Sequence, residues 1–208
     1  MANVVDEAVP ISIEIIELED FTTYEVLDPW GGVINVSTNQ IDIINEPAVG
    51  SAYVRKIFPT DTFTDFTHTF KAILTSLDPT HNIGIWAVTN GANDYYEMYR
   101  DLDGLSIVFF RIPSGAVYRV SMYDWSTFGG ELQYLYWDGC QVDIQYTFVV
   151  QRAGALLTCE IYDGETLLHT LSIPCNTIPY KQLVPHYSYR VGAVDLYGSA
   201  TITDYNLG

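Results

Sequence analysis

The stretch YTFVVQRAGALLTCEIYDGETLLHTLSIPC, Tyr146 to Cys175, decides the fold. It reads as three consecutive antiparallel strands. Leu157, Cys159 and Ile161 alternate with Thr158, Glu160 and Tyr162, a period of two that separates an apolar face from a polar one. Asp163-Gly164 supplies a short hairpin turn, because glycine takes a positive φ without steric cost. The return strand carries Leu167, Leu171 and Ile173 on one parity, with Thr170 and Ser172 on the other. A meander of this kind cannot bury its apolar face alone, so a second sheet must cover it.

Outward from that stretch the chain is strand after strand. DFTHTFKAILT alternates most cleanly: Phe66, His68, Phe70, Ala72 and Leu74 share the face opposite Thr67, Thr69, Lys71 and Thr75. This makes His68 a hydrogen-bonded core histidine rather than a catalytic one. LSIVFFR (Leu105 to Arg111) is apolar on both faces and belongs at the centre of a sandwich. TTYEVL, VINVS, QIDII, SAYVRKIF, IGIWAVT, AVYRVSMYD, ELQYLYW, HYSYRVGAVDL and SATITDYNL supply further strands. Only NDYYEMYRDL offers a turn or two of helix. The reading is all-β: a two-sheet antiparallel jelly-roll sandwich with Phe66, Phe70, Leu74, Ile107, Phe109, Leu157 and Ile161 in its core. Trp86 reads as packed, Trp30 and Trp125 as turn residues open to exposure, and Trp137-Asp138-Gly139 as a strand end.

The 208 residues suit one domain, and 48% hydrophobic with 14% aromatic content excludes disorder. Twenty-six acidic against nine basic residues give a net charge of −17, which opposes nucleic acid and anionic membrane surfaces as partners. No apolar run reaches the roughly 18 residues of a membrane span, so no membrane insertion is expected. MANVVDEAVPISIEII lacks the basic start and small-residue cleavage site of a secretory signal. Cys140, Cys159 and Cys175 leave at least one thiol unpaired; a Cys159–Cys175 bridge stays open on sequence grounds.

The meander with KQLVPHYSYRVGAV after it, and Asp20 to Ile43 (DFTTYEVLDPWGGVINVSTNQIDI) followed by SAYVRKIF, resemble concanavalin A-like, laminin-G-like jelly-roll domains, with DFTHTFKAIL and IGIWAVTN as their middle strands. The form most similar is the stand-alone lectin-like domain of uncultured phage and microbial sequences. The resemblance divides the chain into an N-terminal arm with one extra strand, 1–19, and a lectin-like domain, 20–208. It implies a non-enzymatic domain that recognises cell-surface glycans, extracellular or displayed on a phage or virus particle.

Catalytic residues are not evident. Glycosidases of this broad fold place acids as Glu-x-Asp-x-x-Glu, with the reacting pair about 5 Å apart. The nearest match, Gln40 to Glu46 with Asp42, has Gln first and its last acid displaced, and Glu17-Leu18-Glu19 lacks a third acid; both read as solvated strand faces. No G-x-S-x-G, P-loop or H-E-x-x-H is present. The loop Asn90 to Gly104 is the most informative polar stretch. Asp94, Asp101 and Asp103 are either an ordinary acidic turn or oxygen ligands for calcium. Asn93, Tyr95, Tyr96 and Tyr99, with Trp125, are the candidate glycan contacts, since sugar C–H faces pack on aromatic rings while amides take hydroxyls. The alternative to a lectin is a structural subunit of a virion or filament, a homo-oligomer or a partner of virion proteins, joined through jelly-roll edges and the arm. Ile11, Ile13 and Ile15 give that arm an apolar face, which either folds back on its own sheet or crosses to a neighbour. A glycoside-cleaving enzyme with an unrecognised site is third.

Overall fold

The computed structural model describes residues 17–47, 50–60, 62–90, 104–114, 117–125, 133–190 and 196–208. Two seven-stranded antiparallel sheets pack face to face. In spatial order the front sheet holds β1 (Glu25–Leu27), β4 (Gly50–Ile57), β13 (Gln182–Arg190), β6 (Asn82–Thr89), β7 (Gly104–Arg111), β8 (Tyr118–Asp124) and β9 (Gln133–Cys140). The back sheet holds β12 (Thr166–Pro174), β11 (Leu156–Asp163), β10 (Gln145–Ala153), β5 (Phe66–Leu77), β14 (Tyr197–Leu207), β3 (Gln40–Pro47) and β2 (Ile34–Val36). The expected all-β sandwich is what the chain forms.

The meander β10-β11-β12 pairs as read from the sequence, with Phe148 opposite Ile161 and Cys159 opposite Leu171. Gly154 and Gly164 take φ of 57° and 56° at its two tight turns. All seven core residues chosen from sequence are buried, and Phe70 stacks between Phe148 (5.1 Å) and Tyr205 (4.7 Å) across three adjacent strands of the back sheet. His68 is 1% exposed, and its Nδ1 accepts the Trp86 indole N–H at 3.0 Å. β7 is buried on both faces along Gly104–Val108. The three cysteines are free and buried, so Cys159 and Cys175 are not bridged.

Four local expectations are corrected. Phe21–Thr23 forms a 3-10 turn capped by Asp20, which shortens the expected TTYEVL strand to β1. A pairing shift at Ile161/Tyr162 makes Leu168 an extra residue, so Leu167 turns outward beside Tyr162 and is 49% exposed. β9 runs through Trp137-Asp138-Gly139 to Cys140, with the Trp137 indole over Gly139, where a Cβ would sit 2.3 Å away. Glu46, read as solvated, is fully buried: Asn45 adopts a left-handed φ of 49° and the pairing shifts at Gly198/Ala200, which reverses the strand's parity.

The arm's strand and its isoleucines lie outside the described residues. The residues that follow it lie on the chain's own back sheet: Leu18 bridges Asn206, and the Glu19 N–H donates to the Tyr205 carbonyl at 2.8 Å.

Candidate functional site

The two sheets turn different chemistry outward. On the back sheet the outward positions are largely hydroxyls and charges, such as Thr67, Thr69 and Lys71 on β5 and Thr158 and Glu160 on β11. An open groove of about 600 Å³ there is lined by Leu18, Thr67, Thr69, Lys71, Asp204 and Asn206, with Lys71 paired to Asp204 at 2.8 Å. On the front sheet the outward positions include Tyr53, Tyr123, Tyr134, Tyr136 and Tyr187.

That aromatic face follows from strand parity. Leu105, Ile107 and Phe109 of β7 enter the main core, which leaves Ser106 and Val108 on the outward face. Val120 and Met122 of β8 likewise point in, leaving Arg119, Ser121 and Tyr123 outward. β9 sets Tyr134 opposite Tyr123 and Tyr136 opposite Ser121. The result is a rail of stacked rings. Trp125 lies 4.7 Å from Tyr123, Tyr123 lies 5.9 Å from Tyr134, and Tyr134 lies 6.4 Å from Tyr136, with successive rings inclined by 18° to 22°. The Arg119 guanidinium closes the rail 3.5 Å above Tyr136. It is held there by a bidentate pair with Asp138, at 2.6 and 3.1 Å, which also raises the pKa of the guanidinium.

The rings' faces are turned to one another, so the rail presents edges and hydroxyls to solvent. Tyr134 is 51% and Tyr136 44% exposed. At the other end Trp125 is 6% exposed, with its indole N–H donating to Ser106 Oγ at 2.7 Å. Trp125, expected as an exposed glycan contact, is therefore the rail's buried anchor.

Tyr53, Ala87, Val108, Val184 and Tyr187 continue the same face as a second, separate cluster of buried residues. Tyr187 lies across Gly84 of the neighbouring β6, where a Cβ would come within 2.4 Å of the ring. At the far edge Glu25 accepts from the Tyr53 hydroxyl (3.0 Å) and from Arg55 Nε (2.8 Å), while the Arg55 guanidinium covers the Tyr53 ring at 4.6 Å. Burial works against the carboxylate, but the Arg55 bond dominates and lowers the Glu25 pKa. Both flanks of the face thus repeat one unit: a tyrosine capped by an arginine whose charge a carboxylate answers.

Asn93, Asp94, Tyr95, Tyr96, Tyr99, Asp101 and Asp103 all lie outside the described residues. Among the described residues no group of three or more His, Cys, Asp or Glu is placed to hold a metal ion. Sequence reading missed Tyr123, Tyr134, Tyr136 and Arg119. The signal was the i, i+2 tyrosines of QYLYW beside the tyrosine of SMYDW, which share one face once the two strands pair.

It also missed a buried pair joining the sheets. His186 Nδ1 lies 3.0 Å from the Gly84 carbonyl oxygen. His186 Nε2 lies 3.0 Å from Glu46 Oε1, and both side chains are fully buried.

No protein-family model matches the chain, and no curated protein matches it. Solved structures do. An alginate lyase from Pseudomonas aeruginosa superposes with a TM-score of 0.62 at 11% identity, covering 91% of this chain and 99% of its own. A legume lectin-like domain from Entamoeba histolytica gives 0.58 at 14% identity, covering 89% and 90%. The carbohydrate-binding module CBM66 from Bacillus subtilis gives 0.52 at 8% identity, covering 90% and 94%. The architecture of this chain is the concanavalin A-like jelly roll, a fold shared by lectins, carbohydrate-binding modules and lyases.

Proposed function

We propose that this protein is a lectin-like domain that binds glycans without cleaving them, through the outward face of its front sheet. The observation that carries the reading is the rail Trp125–Tyr123–Tyr134–Tyr136, capped by Arg119. Tyrosine gives a large, amphipathic contact at low entropic cost, because two torsions fix each ring and stacking fixes them here in advance. The exposed hydroxyls of Tyr134 and Tyr136 meet sugar hydroxyls, and the ring edges meet sugar C–H groups. Structures that share the fold include a lectin-like domain and a carbohydrate-binding module, which supports the ligand class.

The non-enzymatic half of the reading has its own support. His68, His81 and His186 are buried, and His169 stacks on Trp137 at 6.1 Å, so no histidine stands beside the exposed tyrosines as a proton carrier. Calcium at Asp94, Asp101 and Asp103 belongs to the same proposal, as a tie for the loop that carries Tyr95, Tyr96 and Tyr99.

The test is a glycan array probed with the full chain, with and without millimolar calcium, followed by the Tyr134→Ala and Tyr136→Ala variants. Retention on one glycan class, weakened about tenfold or more by either substitution while the melting temperature holds, is the expected result. Retention on no glycan, or binding indifferent to both substitutions, overturns the site. New reducing ends or unsaturated uronates in the incubated polymer overturn the non-enzymatic reading.

A further inference from the structure

The rail ends on a carboxylate. β9 turns Tyr134, Tyr136 and Asp138 to one outward face, since residues two apart on a strand share a side. Leu135 and Trp137 have the opposite parity, and Trp137 packs on the main core. The two tyrosine rings are 6.4 Å apart, and Asp138 continues their row by one more strand period. All three residues are exposed.

Arg119 holds Asp138 in that row. Its Nε donates to Oδ1 at 2.6 Å and its Nη2 to Oδ2 at 3.1 Å, while the guanidinium covers the Tyr136 ring. The carboxylate plane is thus fixed before a ligand arrives. The arginine is the inner partner and the aspartate the outer one, with side chains 20% and 43% exposed. A ligand lying along Tyr136 therefore meets the carboxylate first. Each carboxylate oxygen takes one bond from Arg119 and has a second lone pair for another donor. An ionised carboxylate only accepts, so whatever meets it must donate. Sugar hydroxyls donate. The carboxylates of acidic sugars and the sulfates of sulfated ones do not, and they bring like charge to a chain of net charge −17.

We propose that the glycan taken by this face is an uncharged linear chain lying along β9, and that Asp138 selects it by accepting its hydroxyls. The step from Tyr134 to Tyr136 is comparable to one hexose residue of an extended polysaccharide, so consecutive residues lie over Tyr134, Tyr136 and Asp138. Asp138 discriminates in both directions: it rewards a hydroxyl and repels an acid at the same place. This inference deepens the glycan reading and rests on it.

The test is an array of matched oligosaccharides that differ only in hydroxymethyl against carboxylate: gluco- beside glucurono-, galacto- beside galacturono- and manno- beside mannurono-. Each series runs from the monosaccharide to the hexasaccharide, and the full chain is compared with an Asp138→Asn variant at low salt. The expected result is retention of an uncharged series at least tenfold above its acidic partner, rising with length beyond the disaccharide. In Asp138→Asn that ratio falls at least threefold, because the amide carries no charge and offers a donor. A residue that only propped Arg119 would weaken both series together and leave the ratio unchanged. Should the variant misfold, the unaltered chain still decides. Raising the salt shortens the screening length from about 30 Å at 0.01 M to about 8 Å at 0.15 M, which must narrow the ratio. Retention led by an acidic series, retention complete at the monosaccharide, a ratio unmoved by the substitution, or one unmoved by salt each overturns the proposal and leaves a glycan-binding domain. An array that retains nothing removes the glycan reading itself, and the proposal with it.

Discussion

His68 and Trp86 show how a single position sets a response to pH. Burial drives the His68 pKa down from 6.5 to about 3, and the Trp86 N–H donates to the lone pair that a proton would occupy. The unfolded chain takes up a proton near pH 6.5 and the folded chain does not. Stability contributed by this site is therefore complete above pH 6.5 and falls as the pH drops toward 3, by about tenfold in the folding equilibrium per pH unit. His68→Asn keeps an acceptor for Trp86 and removes the titration. Urea unfolding of both proteins from pH 7 to pH 4 should show a slope in the parent that is shallower by one proton in the variant; equal slopes would reject the assignment. The alternation of DFTHTFKAIL was enough to place His68 inside. Glu46 was not legible in the same way, because a single left-handed residue, Asn45, reverses the parity and no periodicity announces it. His186 was equally hidden, since its partner lies on the other sheet, 140 residues away in sequence.

The elements legible in the sequence were those whose two faces differ in polarity. β10 and β11 alternate from end to end and β5 alternates from Phe66 to Leu74, and the structure keeps that alternation. Where the expectations slipped, the backbone departs from a regular ladder: Leu168 in β12, Asn45 in β3, and the continuation of β9 past Trp137. The functional face suffered most, since two tyrosine-bearing strands become a rail only through the register that sets Tyr123 beside Tyr134. One element-level contact can be tested directly. Tyr187 lies on Gly84 so closely that Gly84→Ala must lift the ring off β6. The expected cost is about 1–3 kcal/mol in denaturant unfolding, as in other overpacked sites. Tyrosine fluorescence should also change while the far-ultraviolet spectrum stays that of a β protein. An unchanged unfolding midpoint would mean that the ring is not held by the glycine.

At the scale of the whole molecule, the class of fold followed from composition and period, but the order of the strands did not. That order depends on pairings between residues far apart in sequence, and β14 is the extreme case. It lies in the back sheet between β5 and β3, pairing Leu207 with His68 and Thr203 with Gln40, and the Tyr205 ring completes the stack on Phe70. Removing residues 197–208 should therefore yield an aggregating chain without a cooperative unfolding transition, rather than a slightly trimmed sandwich. A truncated protein that still melts cooperatively would contradict this. The position of β14 also carries a consequence for biosynthesis. Ribosomes release chain at about 5–20 residues per second, and every other strand described here emerges before β14 does. Throughout that interval β5 and β3 each hold an open flank toward the other, and neither half of the sheet is bounded. The growing polypeptide must wait, with two adhesive margins exposed, for the segment that closes it. Its vulnerable period ends only when β14 has cleared the ribosomal exit.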